Sequence, residues 1–446
     1  MNYYSTNGKA PLATLQKAVV KGLAEDKGLY MPQSIKPLPE SFFDNIQDLS
    51  FQEIAYQVAD CFFGEDVEAD ALRKIVYDTL SFDVPLVKVS SPKGGDQKAE
   101  IYSLELFHGP TLAFKDVGAR FMARLLQYFI KDLKDSKDLK EVNVLVATSG
   151  DTGSAVANGF LGVEGIRVYV LYPKGKVSPI QECQFTTLGQ NITAIEVDGV
   201  FDDCQALVKC AFIDEEVNEH MLLTSANSIN VARFLPQSFY YFYAYAQLKK
   251  LGLADKVVAC VPSGNFGNIC SALFGKRMGL SISRFIAANN ANDVFFNYLK
   301  TGAYNPRASV QTIANAMDVG DPSNFARIYD LYGKDHAAIC ADISGATYTD
   351  EQIAQTMRDC LKETGYQLDP HGACGYRALQ EGLREGEVGF FLETAHPAKF
   401  KQVVDGICGT DIEIPARLQA FMKGKKRSVP MSKDYADFKA FLLNQK

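Results

Sequence analysis

The chain has no C-x-x-C pair, and its 10 cysteines are scattered among only five histidines. Neither a zinc site nor a disulfide framework fits that pattern, so the thiols read as reduced and mostly buried, with no metal site expected. A basic excess is missing too, since 46 Lys and Arg stand against 53 Asp and Glu for a formal net charge of −7. That leaves no electrostatic footprint for nucleic acid or an anionic membrane, and any bound anion must be captured locally. No apolar run approaches the length needed to span a bilayer, and the opening MNYYSTNGKAPL lacks the basic start and apolar core of a secretory leader. The expected location is the cytoplasm. Internal repeats and low-complexity linkers are also missing, so nothing marks a clean domain boundary. The one marked charge run, KDLKDSKDLKE at 131–141, mixes both signs with recurring leucines and reads as a solvated helix end and loop.

What is present is rhythm. Apolar, β-branched runs recur at VNVLVAT (142–148), IRVYVLY (166–172), ITAIEV (192–197), VVACV (257–261) and RFIAA (284–288), with helical patterns between them. That alternation predicts an α/β fold of parallel strands joined by crossover helices, whose functional loops share one edge of a sheet. Residues 1–90 are less β-rich and read as a mainly helical N-terminal region. With 446 residues and 47% hydrophobic content, the chain is large enough for one big core or two coupled lobes, and two lobes are expected.

Three segments stand out chemically. In FHGPTLAFKDVGARFM (107–122), Lys115 sits among small and apolar residues ahead of a helical pattern. Burial there would lower its pKa and make a reactive amine, whereas a lysine snorkelling from a helix start fits the same local sequence. In VVACVPSGNFGN (257–268), a strand-like run ends in a small, glycine-containing turn. Gly264 and Gly267 allow close approach of an anion to backbone N–H groups, though a plain strand-to-helix connection looks alike. In GFFLETAHPAKF (389–400), Thr394 follows a buried-strand pattern and places an uncharged hydroxyl where α/β sheets bind ligands; a hydroxyl satisfied within the strand end is the simpler reading.

A Schiff-base lysine, a glycine-and-asparagine phosphate loop and a strand-end threonine are together the contacts that pyridoxal 5′-phosphate requires. The ordered segments GLAEDKGLYMP (22–32), FHGPTLAFKD (107–116), ATSGDTGSAV (147–156), LYPKGKVSPIQE (171–182), SANSIN (225–230), PSGNFGN (262–268), NAMDVGDPSN (315–324) and TAHPAKFK (394–401) resemble the threonine synthases, fold-type II pyridoxal-phosphate enzymes of the tryptophan synthase β family. The resemblance implies two parallel-sheet-containing lobes flanked by helices: a smaller α/β lobe at 118–230, and a larger cofactor-binding lobe at 91–117 and 231–446. These join the N-terminal region at 1–90. Closure of the cleft between the lobes would exclude water.

Carried over residue by residue, the resemblance gives Lys115 the covalent link to the cofactor and the proton transfers. It gives Ser263, Gly264, Asn265, Phe266, Gly267 and Asn268 the cofactor phosphate, and Thr394 the ring nitrogen. Ser149, Gly150, Asp151, Thr152 and Gly153 would form the turn that receives the substrate carboxylate. Asp151 either points away from the cofactor's phenolic oxygen as a helix N-cap or is protonated and donates to that oxygen; the N-cap is the favoured expectation, because D-T-G-S opens a helical pattern. The implied reaction converts O-phospho-L-homoserine and water to L-threonine and phosphate, the last step of threonine biosynthesis, by a lyase acting as monomer or homodimer. Lys174, Lys176, Arg120 and Arg233 are candidate ligands of the substrate phosphate, and His108 is a candidate neighbour of the cofactor. Rival readings are a hydroxyamino-acid dehydratase, a β-replacement enzyme, and a catalytically silent cofactor-binding regulator.

Overall fold

The five β-branched runs become the central strands of two separate sheets. The computed structural model describes residues 1–90, 100–134 and 141–445, so most of the charge run at 131–141 lies outside the described residues. A six-stranded sheet has the spatial order Ile343–Thr347, Arg284–Asn289, Val257–Pro262, Val388–Glu393, Ile101–Glu105 and Leu86–Ser90. Its first five strands are parallel and its last is antiparallel. A five-stranded, wholly parallel sheet runs Val429–Met431, Ile192–Val197, Ile166–Pro173, Val142–Ala147 and Leu222–Ser225. Because strands within each sheet point the same way, the turns that follow Pro262 and Glu393 share one edge, as do those that follow Ala147 and Ser225.

The N-terminal region holds the helices Leu15–Lys21, Phe51–Phe63 and Ala69–Thr79, together with a small antiparallel sheet of Asn2–Ser5, Ala13–Thr14 and Tyr30–Pro32. Phe51–Phe63 starts where it does because Ser50 and Glu53 form a reciprocal capping box, satisfying two amides that the first helical turn leaves open. Arg327 ties this region to the rest. Its guanidinium, fully buried, donates to Tyr30 O, Ser228 O, Ile229 O and Asn324 Oδ1, and stacks over Phe234 at 4.1 Å. GLYMP, SANSIN and PSN, well separated in sequence, are thus joined by one cation.

At the C-terminus the layout departs from the expected division, which placed all of 231–446 in the larger lobe. Val429–Met431 is the edge strand of the five-stranded sheet, paired in parallel with Ile192–Val197. The helix Tyr435–Leu443 follows, burying Phe438 and Leu442 in a cluster with Ile195, Val197, Leu207 and Val217. The physical reason is exposed apolar surface: Ile195 and Val197 point to a face that nothing in 118–230 fully covers, and the C-terminal helix supplies the cover. Among the described residues no helix is long and apolar enough to cross a membrane, and no group of three or more His, Cys, Asp or Glu could hold a metal ion.

Candidate active site

The loop before Lys115 is shaped around a buried carboxylate. Asp116 accepts from Thr111 N at 2.9 Å and Thr111 Oγ1 at 2.6 Å, and burial pushes its pKa up against these bonds. Gly109 cannot carry a side chain here, since a Cβ would lie 2.4 Å from Asp116 Oδ2. Phe114 N donates to Thr394 O at 2.8 Å and His396 N to Leu112 O at 3.0 Å, which locks the loop against the end of strand Val388–Glu393. Lys115 then opens the helix Lys115–Lys134. Burial lowers its pKa from 10.5 to about 8; Arg233 and Lys399 push the same way and Asp151 opposes them.

Lys115, Thr152, Ser263, Gly264, Asn265, Phe266, Gly267, Asn268 and Thr394 line one cleft. The turn after Pro262 enters the helix Gly267–Arg277 through Phe266, whose φ of 62° is held by packing of its ring on Phe295 at 4.5 Å. A Cβ on Gly264 would meet Ala316 O at 2.9 Å, and one on Gly267 would meet Ser228 Cβ at 3.1 Å. Asn268 Oδ1 accepts from the hydroxyls of Tyr240 and Tyr241, each at 2.7 Å. That fixes the amide's orientation and turns its Nδ2 donors toward the cleft, where Nδ2 is buried with no partner among the described residues. Behind Thr394, the fully buried Glu393 has its pKa raised well above the carboxylate range by burial and by the neighbouring Asp369 charge.

Ser149, Gly150, Asp151 and Gly153 do not line this cleft, and Asp151 is not the N-cap expected of it. Gly150 occupies that position with a φ of 144°, and the capping oxygen belongs to Thr148, whose Oγ1 accepts from Gly150 N at 2.9 Å and Gly153 N at 2.7 Å. With its capping role taken, Asp151 turns instead to the buried Lys399, whose Nζ lies 2.6 Å from Asp151 Oδ1, and to Gln181 Nε2 at 2.8 Å. Burial alone would raise the Asp151 pKa, but Lys399 and Lys115 outweigh it and hold the group ionised at about 2. The first-turn amides of Asp151 and Thr152 have no backbone partners among the described residues, an arrangement suited to an anion.

Residues 80–392 match the family described as pyridoxal-phosphate dependent enzyme, residues 2–80 the threonine synthase N terminus, and residues 372–442 the threonine synthase C-terminal family. A threonine synthase of Serratia marcescens is 40% identical over 99% of each chain. The crystal structure of threonine synthase from Escherichia coli is 40% identical, covers 100% of both chains and superposes with a TM-score of 0.91. The chain belongs to the threonine synthase family. It therefore has the fold-type II architecture, and threonine synthases are pyridoxal-phosphate-dependent lyases of amino-acid biosynthesis. The pyridoxal-phosphate-bound threonine synthase from Brucella melitensis is 34% identical over 99% of each chain, with a TM-score of 0.90.

The residues of this cleft fit the cofactor. Two buried donors in its wall, Asn268 Nδ2 and Arg233 Nε, lack partners among the described residues, and the turn at 263–268 packs so closely on Ala316 and Ser228 that Gly264 and Gly267 leave no room for a side chain. Of the four phosphate candidates, only Arg233 lines the cleft. Arg120 is spent on Thr79 O, Asp78 O and Ser81 Oγ, while Lys174 and Lys176 are exposed. His108 pairs with Glu105 at 2.7 Å, away from the cleft lining. His371 and Gln237 are cleft residues that the sequence did not single out. His371 Nδ1 meets Asp369 Oδ2 at 2.5 Å and its Nε2 accepts from Ala316 N at 3.1 Å, so it joins the loop at 314–318 to the helix Pro370–Gly382. Only the short spacing of Asp369 and His371 was available to signal it.

Proposed function

We infer that the substrate is O-phospho-L-homoserine, converted with water to L-threonine and inorganic phosphate. The observation that carries this reading is Arg233: a guanidinium 2% exposed, lining the cleft beside Asn227 and Ser228, with Asp116 the one described carboxylate whose charge reaches it. A buried cation without an ion-pair partner is costly, and a dianionic phosphate ester supplies the missing charge in the planar geometry that a guanidinium prefers. Free serine or threonine would leave it unpaired.

Pyridoxal phosphate, when bound, supplies the electron sink that makes the proton on the amino-bearing carbon, and then those on its neighbour, acidic. Lys115 would hold it covalently, the amides of the Ser263–Asn268 turn with Asn268 Nδ2 would take its phosphate, and Thr394 would offer the ring nitrogen an uncharged hydroxyl. Lys115, buried and with its pKa near 8, is suited to accept the Cα proton, to give it up again, and only then, as a free amine once more, to accept a Cβ proton from the same face of the substrate. Arg233 would grip the phosphate as the γ carbon–oxygen bond breaks. The turn from Ser149 through Gly153, with its open amides at Asp151 and Thr152, would hold the carboxylate while water adds at Cβ. Ten free cysteines support a cytoplasmic setting.

The test is phosphate release from O-phospho-L-homoserine with threonine measured alongside. Equal amounts of the two are expected. Lys115→Ala should lose turnover by at least about 1000-fold, and Arg233→Met should raise KM by at least about 10-fold while leaving cofactor absorption intact. Deamination of free threonine with no phosphohomoserine turnover would overturn the reading.

A further inference from the structure

The buried ion pair of Lys399 and Asp151 has no part in the bond-breaking described above, yet it sits beside the reactive amine. Lys399 is 0% exposed and Asp151 5%. Lys399 Nζ also donates to Thr111 O at 2.8 Å, and Gln184 Nε2 donates to the same carbonyl at 3.1 Å. Gln181, three residues from Gln184 on the helix Pro179–Thr186, completes the ring by donating to Asp151, and its N-cap Ser178 donates to Lys399 O at 3.3 Å. Lys399 follows the strand Val388–Glu393 of the six-stranded sheet, Asp151 follows Val142–Ala147 of the five-stranded sheet, and Thr111 lies on the loop that leads into Lys115. One ammonium therefore joins both sheets and the lysine loop.

Removing two charges from water offsets most of what their attraction returns, so net stability is a weak reason for such a pair. The surrounding charges suggest a better one. Asp151 is the carboxylate whose charge favours the protonated form of Lys115, while Arg233 and Lys399 disfavour it; Asp116 beside Thr111 is the other acidic group packed against this cluster. If Lys399 were absent, the cation left to Asp151 would be Lys115.

We propose that Lys399 is a positioning residue that holds the Asp151 carboxylate away from Lys115, leaving the amine free. The proposal rests on Lys115 being the cofactor-linked lysine. Its reach is specific: the ammonium competes for a carboxylate that would otherwise sequester the working amine.

The experiment compares Lys399→Met, Asp151→Asn and the double variant as holoenzymes, reading the pH midpoint of cofactor absorption without substrate and then kcat and KM separately. Lys399→Met is expected to move the midpoint upward by about 1 and to lower kcat by at least about 10-fold with little change in KM. The double variant, which has no stranded carboxylate, should bring the midpoint back and recover most of the lost kcat. Lys399→Arg, which keeps the pair, should hold the midpoint even if Lys399→Met fails to fold. An unmoved midpoint in Lys399→Met, or a double variant as impaired as Lys399→Met alone, would overturn the proposal. Because the absorption is read without substrate, either result stands apart from whether phosphohomoserine is the true substrate.

Discussion

Burial of Lys115 links this amine to the stability of the whole apo-protein. Its pKa of about 8 lies below the 10.5 of an exposed lysine, so between those values the unfolded chain binds more protons than the folded one. Stability of the cofactor-free protein should therefore rise with pH across that window, the penalty being fully present below about pH 8. Lys115→Met is expected to exceed the wild type by about 2–3 kcal/mol at pH 7 in urea unfolding, with the gap closing as pH approaches 10.5. A gap independent of pH would refute this origin. Much of the site was legible at this scale because its chemistry demands particular residue types: a lone lysine among small residues, glycines in a strand-end turn, a threonine closing a buried strand. Asp151 was not, because its spacing suits an N-cap and only the fold reveals that Thr148 had already taken that role. Arg233 could not be told from Arg120 by sequence, since what separates them is placement in the fold: Arg120 is spent on oxygens outside the cleft, whereas Arg233 gives Nη1 to Ala226 O and lines the cleft with its Nε unpartnered among the described residues.

Among the elements, the helix Lys115–Lys134 carries the tightest requirement. It lies so close to Val231–Phe234 that a Cβ on Gly118 would stand 2.3 Å from Arg233 O. Backbone cannot yield as a side-chain tip can, so Gly118→Ala should cost about 1–3 kcal/mol, seen as a lower urea midpoint, and should raise KM for the phosphate ester by displacing Arg233. An unchanged KM would mean that the close approach serves packing alone. The strands that the sequence displayed, such as Val142–Ala147 and Val257–Pro262, are buried along their whole length and read as β-branched runs. Those it hid are short or interrupted: Ile343–Thr347 is an edge strand with Ser344 and Gly345, Ile101–Glu105 contains the buried Ser103, and Leu222–Ser225 has four residues.

For the molecule as a whole, the C-terminal segment completes the smaller sheet. Phe438 is fully buried, and the N-cap carboxylate of Asp214 holds the helix that carries it through Tyr435 at 2.9 Å and Lys439 at 2.9 Å. Phe438→Ala should destabilise the protein by about 3–5 kcal/mol in thermal or urea unfolding, although the residue does not line the cleft. A loss under about 1 kcal/mol would show that this helix is dispensable cover. The sequence could not disclose the arrangement, because Val429–Met431 is three residues long and its partner strand, Ile192–Val197, is more than 200 residues earlier.

That separation also orders events as the polypeptide emerges from the ribosome. Residues 142–225 leave the exit tunnel early carrying four of the five strands of their sheet, but the cluster around Ile195 and Val197, which Leu207 and Val217 join early, lacks Met431, Phe438 and Leu442 until 429–443 have been made. Throughout that interval the nascent lobe presents an unpaired strand edge and an apolar face, the two features that holding chaperones engage.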